Sequence, residues 1–137
     1  YCESTNQMPG PMGEGSKLQI IAPLLNFMSD FIPTNYSFSI VCGIIGLDTT
    51  KQNSLRLVFK SENEENIILD TNTIYIPSTF ASMQSQLPES ERNIVFNIDF
   101  RNVVFNKPGV YETIVYVNDE LLDKYQISMI KRNKIDG

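Results

Sequence analysis

Apolar and polar residues trade places one for one along "NIVFNIDFR": Ile94, Phe96, Ile98 and Phe100 fall on one side, Val95, Asn97, Asp99 and Arg101 on the other. A period of two belongs to a strand that buries one face, because successive side chains leave a pleated backbone in opposite directions. The same period returns in "YSFSIVCGIIG", where Phe38, Ile40, Cys42 and Ile44 share a face, and in "LRLVFK", where Leu55, Leu57 and Phe59 oppose Arg56, Val58 and Lys60. No segment sustains a 3.6-residue period. With "KLQIIAPL", an interrupted "IILDTNTIYIP" and two runs near the C-terminus, the pattern predicts about seven short strands. That number suits an all-β, antiparallel two-sheet sandwich.

The C-terminal runs are the most legible. Pro108-Gly109 sets a turn: proline fixes φ, and glycine accepts a positive φ. Tyr111, Thr113, Val115 and Val117 then share one face, Asn118-Asp119-Glu120 reverses the chain, and Tyr125, Ile127 and Met129 point inward on the return strand. This predicts a β-hairpin that closes the sandwich. Among the remaining segments, Met8 to Ser16 reads as a loop from its prolines and glycines. "NFMSDFIPTN" reads as irregular, "SENEEN" as a charged hairpin tip, and the stretch from Ser78 as a long loop with one helical turn capped by Ser78 or Thr79.

A length of 137 residues fits one domain, residues 1–137, able to bury roughly two-thirds of its unfolded surface without staples. The net charge of −5 would repel a phosphate backbone, and the one basic cluster, Lys131 to Lys134, reads as a solubilising tail. Nucleic acid is therefore not an expected partner. No apolar run reaches the length of a membrane span, and no signal peptide is visible. The two cysteines, Cys2 and Cys42, make no disulfide scaffold. Cys42 reads as a small buried hydrophobe and Cys2 as too frayed to pair with it, with a Cys2–Cys42 disulfide left open until the geometry is known. Cytoplasmic localisation is the expectation, with export left open by the start at Tyr1.

The inventory for chemistry is thin. There is no histidine, so no Ser-His or Cys-His pair and no imidazole metal site. "GEGSKL" inverts the Gly-Lys-Ser order of a phosphate loop and precedes a strand. Glu62, Glu64 and Glu65 lack the alternating ligands and turn glycine of a calcium loop. "NYS" at Asn35 is a sequon of the kind chance supplies. Asp70 and Asp99 sit where carboxylates are simply solvated. The expectation is no enzyme, no cofactor and no metal.

Surface is what remains. Ile114 and Tyr116 lie opposite the Tyr111 face, Val41 and Ile45 opposite Phe38, and Val58 opposite Leu57, where a water-facing sheet should be polar. Ile114, Tyr116, Val41 and Val58 are the expected partner-binding residues, for a protein partner or a weak homodimer. The competing reading covers them with the chain's own Phe80 loop or N-terminal segment.

"SKLQIIAPLLNFMSDFIPTNYSFSIVCGI" and "RNIVFNIDFRNVVFNKPGVYETIVYVNDELLDKYQISM" resemble a family of small bacterial proteins of unknown function read as Ig-like sandwiches. The likeness rests on Lys17, Leu18, Ile20, Phe105, Pro108, Gly109 and Tyr111. Ala22 stands where that family usually has glycine, and Asp119-Glu120 where it has Asp-Gly. The resemblance implies a fold and no activity, and it implies a first strand ending near "YCES". The expected function is thus a non-catalytic bacterial β-sandwich acting through protein contacts; the alternative is an exported Ig-like module that binds a surface glycan or host protein.

Overall fold

The computed structural model describes residues 1–9, 16–47, 52–76 and 93–132. Among these there is no helix and there are ten strands: β1 (Cys2–Pro9), β2 (Ser16–Pro23), β3 (Asn26–Ser29), β4 (Thr34–Ile45), β5 (Asn53–Ser61), β6 (Ile67–Asp70), β7 (Ile74–Ile76), β8 (Asn93–Phe105), β9 (Gly109–Val117) and β10 (Glu120–Lys131). They form two sheets, not a closed barrel. Sheet A runs β2-β1-β4-β8; sheet B runs β3-β10-β9-β5-β6, with β7 also on β5. Every pairing is antiparallel except β3 with β10.

The expected faces hold where alternation was clearest. Phe38, Ile40 and Ile44 of β4 and Leu55, Leu57 and Phe59 of β5 are buried between the sheets, with Phe96, Ile98 and Phe100 of β8 packed against them. Rings from both sheets fill the centre: Phe27 lies 4.8 Å from Phe38 and 5.3 Å from Phe105, and Phe59 stacks on Tyr111 at 5.7 Å. Each fully buried ring contributes about 1.5–3 kcal/mol, which makes this cluster the main tie between the layers.

The differences have local causes. β8 does not stop at Arg101. Asn102 takes a left-handed φ of 54° and donates its N–H to Ser37 Oγ at 3.0 Å, while the β4–β8 register shifts between Tyr36 and Phe38. The extra residue moves the alternation by one, so Phe100 and Val103 both face inward and the strand runs on to Phe105. β1 and β3, absent from the seven-strand expectation, are made by pairing: β1 with β2 along most of its length, β3 with the distant β10. Met8, Pro9 and Ser16 belong to strands rather than to a loop. The β9–β10 hairpin forms as expected, although Tyr125, expected to point inward, is 52% exposed, and its turn is Asn118-Asp119, both at positive φ (52° and 64°) between the paired Val117 and Glu120. Positive φ at both central residues is the type I′ signature, and Asn and Asp tolerate it better than most.

Cys2 is buried rather than frayed, and Cys42 is half-buried. Both thiols are free. Cys2 pairs with the outward-facing Ser39, whereas Cys42 lies on the core side of the same sheet. The helical turn at Ser78 or Thr79, the Phe80 loop, residues 10–15 of "MPGPMGEGS" and residues 133–134 of the basic cluster lie outside the described residues.

Candidate functional site

Val58 and Ile114 are direct partners across β5 and β9 on the outward face of sheet B. They are 3% and 7% exposed. Beside them Arg56 opposes Tyr116, with the guanidinium 5.5 Å from the ring centroid, and Lys60 opposes Glu112 at 3.7 Å. Lys124 of β10 partners Ile114, and Asp70 of β6 partners Val58. Arg56 grips Asp70 through two hydrogen bonds, Nε to Oδ1 at 2.9 Å and Nη2 to Oδ2 at 2.5 Å. Asp70 is therefore engaged rather than merely solvated. The Arg56 bonds, then the Asn72 N–H, hold its carboxyl down at about 2.

This corrects the expected open patch. Val58 and Ile114 face outward, but they sit mid-sheet with neighbours on every side and offer a partner almost no surface. Tyr116 is half-buried beside Arg56. Val41 is half-buried on β4, in the other sheet, so the four residues do not form one patch.

Three hollows stand out among the described residues. The largest, about 530 Å³, lies between the β5–β6 tip and the β8–β9 corner, lined by Ser61, Glu64, Asn66, Ile67, Ile68, Val104, Asn106, Lys107 and Tyr111. Lys107 Nζ meets Glu64 Oε1 at 3.0 Å, an exposed ion pair that pushes the Lys107 ammonium up. Tyr111 Oη donates to the Lys107 carbonyl at 2.6 Å, and burial pushes its phenol up. A slot of about 240 Å³ opens between the sheets at Tyr1, Val41, Cys42 and Tyr125. There Tyr1 Oη lies 2.5 Å from Thr113 Oγ1 and 3.0 Å from the Tyr125 carbonyl. Burial raises the Cys42 thiol, which lowers its thiolate fraction and hence its reactivity.

The third hollow, about 300 Å³, lies on the outer face of sheet A among Glu3, Ser4, Thr5, Ser37, Ser39, Asp99 and Arg101. Asn97 Nδ2 of β8 donates to Thr5 Oγ1 at 3.1 Å, so the β1–β2 hairpin lies over this face. Ser39 is buried there, and its hydroxyl donates to Asp99 at 2.5 Å. Each hollow contains such a bond: Lys107 with Glu64 in the first, Tyr1 with Thr113 in the second and Ser39 with Asp99 in the third.

Sequence reasoning passed over the β3 edge. β3 pairs with β10 on one side and, among the described residues, with no strand on the other. Phe27 and Met129 of this pair point into the core, which turns Met28 and its partner Ile130 outward, 42% and 41% exposed. Leu25 before the strand is 93% exposed and Phe31 after it 70%. The tight turn that follows is fixed by Ser29, whose Oγ accepts the Phe31 N–H at 3.3 Å, and by Arg132, which meets Asp30 at 3.6 Å. Four large apolar side chains around one open edge form the kind of surface that soluble chains normally blunt with charge.

A family model matches residues 13–130, from the β1–β2 connection to the end of β10. The chain belongs to a family of unknown function, DUF6941. The match includes the whole β3 edge and the β8–β9 corner, and the resemblance to a small family of unknown function is thereby established. No curated protein and no solved structure gives a significant match. Among the described residues no helix is long and apolar enough to cross a membrane, and no cluster of three metal-ligating side chains occurs.

Proposed function

We propose that this chain is a non-catalytic, Ig-like sandwich that acts by protein–protein contact, with the β3 edge of sheet B as the contact surface. The observation that carries the reading is the exposure of Leu25, Met28, Phe31 and Ile130 around one open strand edge. The Ig-like assignment is supported by the corner where β8 of sheet A passes into β9 of sheet B. There Tyr111, near the start of its strand, bonds back to the carbonyl four residues upstream, as the tyrosine corner of Ig-like sandwiches does. A non-catalytic role is supported by the bonds that engage Lys107 with Glu64, Tyr1 with Thr113 and Ser39 with Asp99, and by a chain without imidazole. Two free cysteines support a reducing, cytoplasmic setting.

Affinity capture from the native host, with wild-type and Phe31→Glu baits run side by side, tests the reading. A partner retained by the wild type and lost by Phe31→Glu supports it. Equal recovery of every protein by both baits sinks it.

A second reading, an exported module that grips a surface glycan, is favoured by the corner hollow alone. Its hydroxyl, amide and charged lining (Ser61, Asn66, Asn106, Glu64, Lys107) suits sugar hydroxyls. Oligosaccharide binding that falls with Lys107→Ala would support it, and silence across an oligosaccharide panel would remove it.

A further inference from the structure

Among the described residues that line the hollow at the β8–β9 corner, only Glu64 and Lys107 carry charge, and they bond to each other at 3.0 Å. An ionic ligand would have to separate that pair, and an anionic one would do so on a chain of net charge −5. The uncommitted groups are neutral. Asn66 of the β5–β6 tip and Asn106 of the β8–β9 corner line the two walls, and among the described residues neither carboxamide holds a hydrogen bond. Each offers donors and an acceptor. Each wall also carries an open aliphatic side chain, Ile67 at 50% exposed and Val104 at 47%. No ring face is on offer, because Tyr111 is 4% exposed and packed on Phe59 and Phe105.

The walls are held by bonds that use none of these free groups. The Glu62 N–H donates to the Val110 carbonyl and Lys60 Nζ to the Glu64 carbonyl, both at 3.0 Å, while Tyr111 Oη fixes the Lys107 carbonyl. A hollow shaped before binding loses little to ordering when it is filled. Free carboxamides, open aliphatic side chains and matched charge complement a pyranose. Such a ring has hydroxyls around its edge, each both donor and acceptor, and C–H groups on its faces.

We propose that the corner hollow binds a neutral sugar, its C–H face on Ile67 and Val104 and its hydroxyls on Asn66 and Asn106, with the Glu64–Lys107 pair left closed. The inference rests on the reading of this hollow as a glycan site and names the class: uncharged hexoses rather than uronic or sialic acids. It is independent of the β3 edge. The volume of about 530 Å³ lies within the roughly 300–1,000 Å³ of small-ligand pockets. A handful of hydrogen bonds at an open site gives a Kd on the order of millimolar.

The test follows amide resonances of the isotope-labelled full chain during titration to roughly 10 mM sugar. One panel holds neutral oligomers of glucose, mannose, galactose and N-acetylglucosamine; the other holds digalacturonic acid and sialyllactose. Neutral sugar should shift the side-chain amide signals of Asn66 and Asn106, equally at low and high salt, and the acidic panel should leave them in place. Asn66→Ala and Asn106→Ala, at exposed positions and expected to melt like the wild type, should each weaken binding about three- to tenfold.

Acidic sugars that bind as tightly as neutral ones, or more tightly and with loss on Lys107→Ala, keep the glycan reading and overturn the neutral class. Neutral sugar that leaves the Asn66 and Asn106 signals unmoved, or binds both alanine variants as well as the wild type, overturns the site. No shift from either panel removes the glycan reading together with this inference.

Discussion

Val58 with Ile114, and Met28 with Ile130, are both cross-strand apolar pairs on the outward face of sheet B, yet the first is closed to solvent and the second is nearly half open. Side-chain type does not separate them; position does. The first pair lies on β5 and β9, each paired on both sides, and is flanked by Arg56–Tyr116 and Lys60–Glu112, whose long side chains can cover apolar neighbours with their aliphatic stems. The second joins β10 to β3, the last strand of the sheet, and among the described residues no strand stands beyond Met28 to do this. An outward apolar residue mid-sheet is therefore part of the structure, while the same residue at an edge is available for contact.

The largest effect should come from the core that both pairs share. Tyr111→Ala removes a buried ring packed on Phe59 and Phe105, together with the Lys107 bond, and should cost about 3–5 kcal/mol in urea unfolding. Ile114→Ala set against Ile130→Ala then divides the two pairs. The first should cost about 2–4 kcal/mol and the second under about 1 kcal/mol. Equal costs would break the comparison.

The Arg56–Asp70 pair beside Val58 gives a pH signature. The Asp70 carboxyl is held at about 2 in the folded chain against an ordinary value of 3.8. A depressed carboxyl adds stability above its unfolded value and loses it as pH falls, so this contribution is complete above about pH 4 and fades towards pH 2. Arg56→Gln should lose less stability over that window than the wild type when urea midpoints are compared. At the opposite edge, in sheet A, Ala22 holds a left-handed φ of 52° in β2. Ala22→Gly should relieve that strain and raise stability by about 0.5–1 kcal/mol, a small gain in melting temperature.

Much of the sandwich was legible in the chain. β4, β5, β8 and β9 each announce a buried face, and Asn118-Asp119 marks a hairpin. The resemblance had set Ala22 apart as standing where glycine is usual, and its positive φ supplies the reason. What stayed hidden depends on relations between distant segments. β1 carries no apolar alternation and exists through its hairpin with β2; β3 has one inward ring, Phe27, and pairs with residues a hundred positions away. Alternation fixed the side on which Val58 and Ile114 lie and said nothing of how their neighbours enclose them. Which strand becomes an edge is a property of topology, so Met28 and Phe31 read only as part of an irregular stretch.

The contrast between the closed pair and the open edge is tested most directly by amide hydrogen exchange measured by mass spectrometry. The β3 amides, residues 26–29, should exchange faster than those of β5 and β9, whose strands are hydrogen-bonded on both sides. Equal protection of β3 and β5, or faster exchange in the strands that carry Val58 and Ile114, would contradict it.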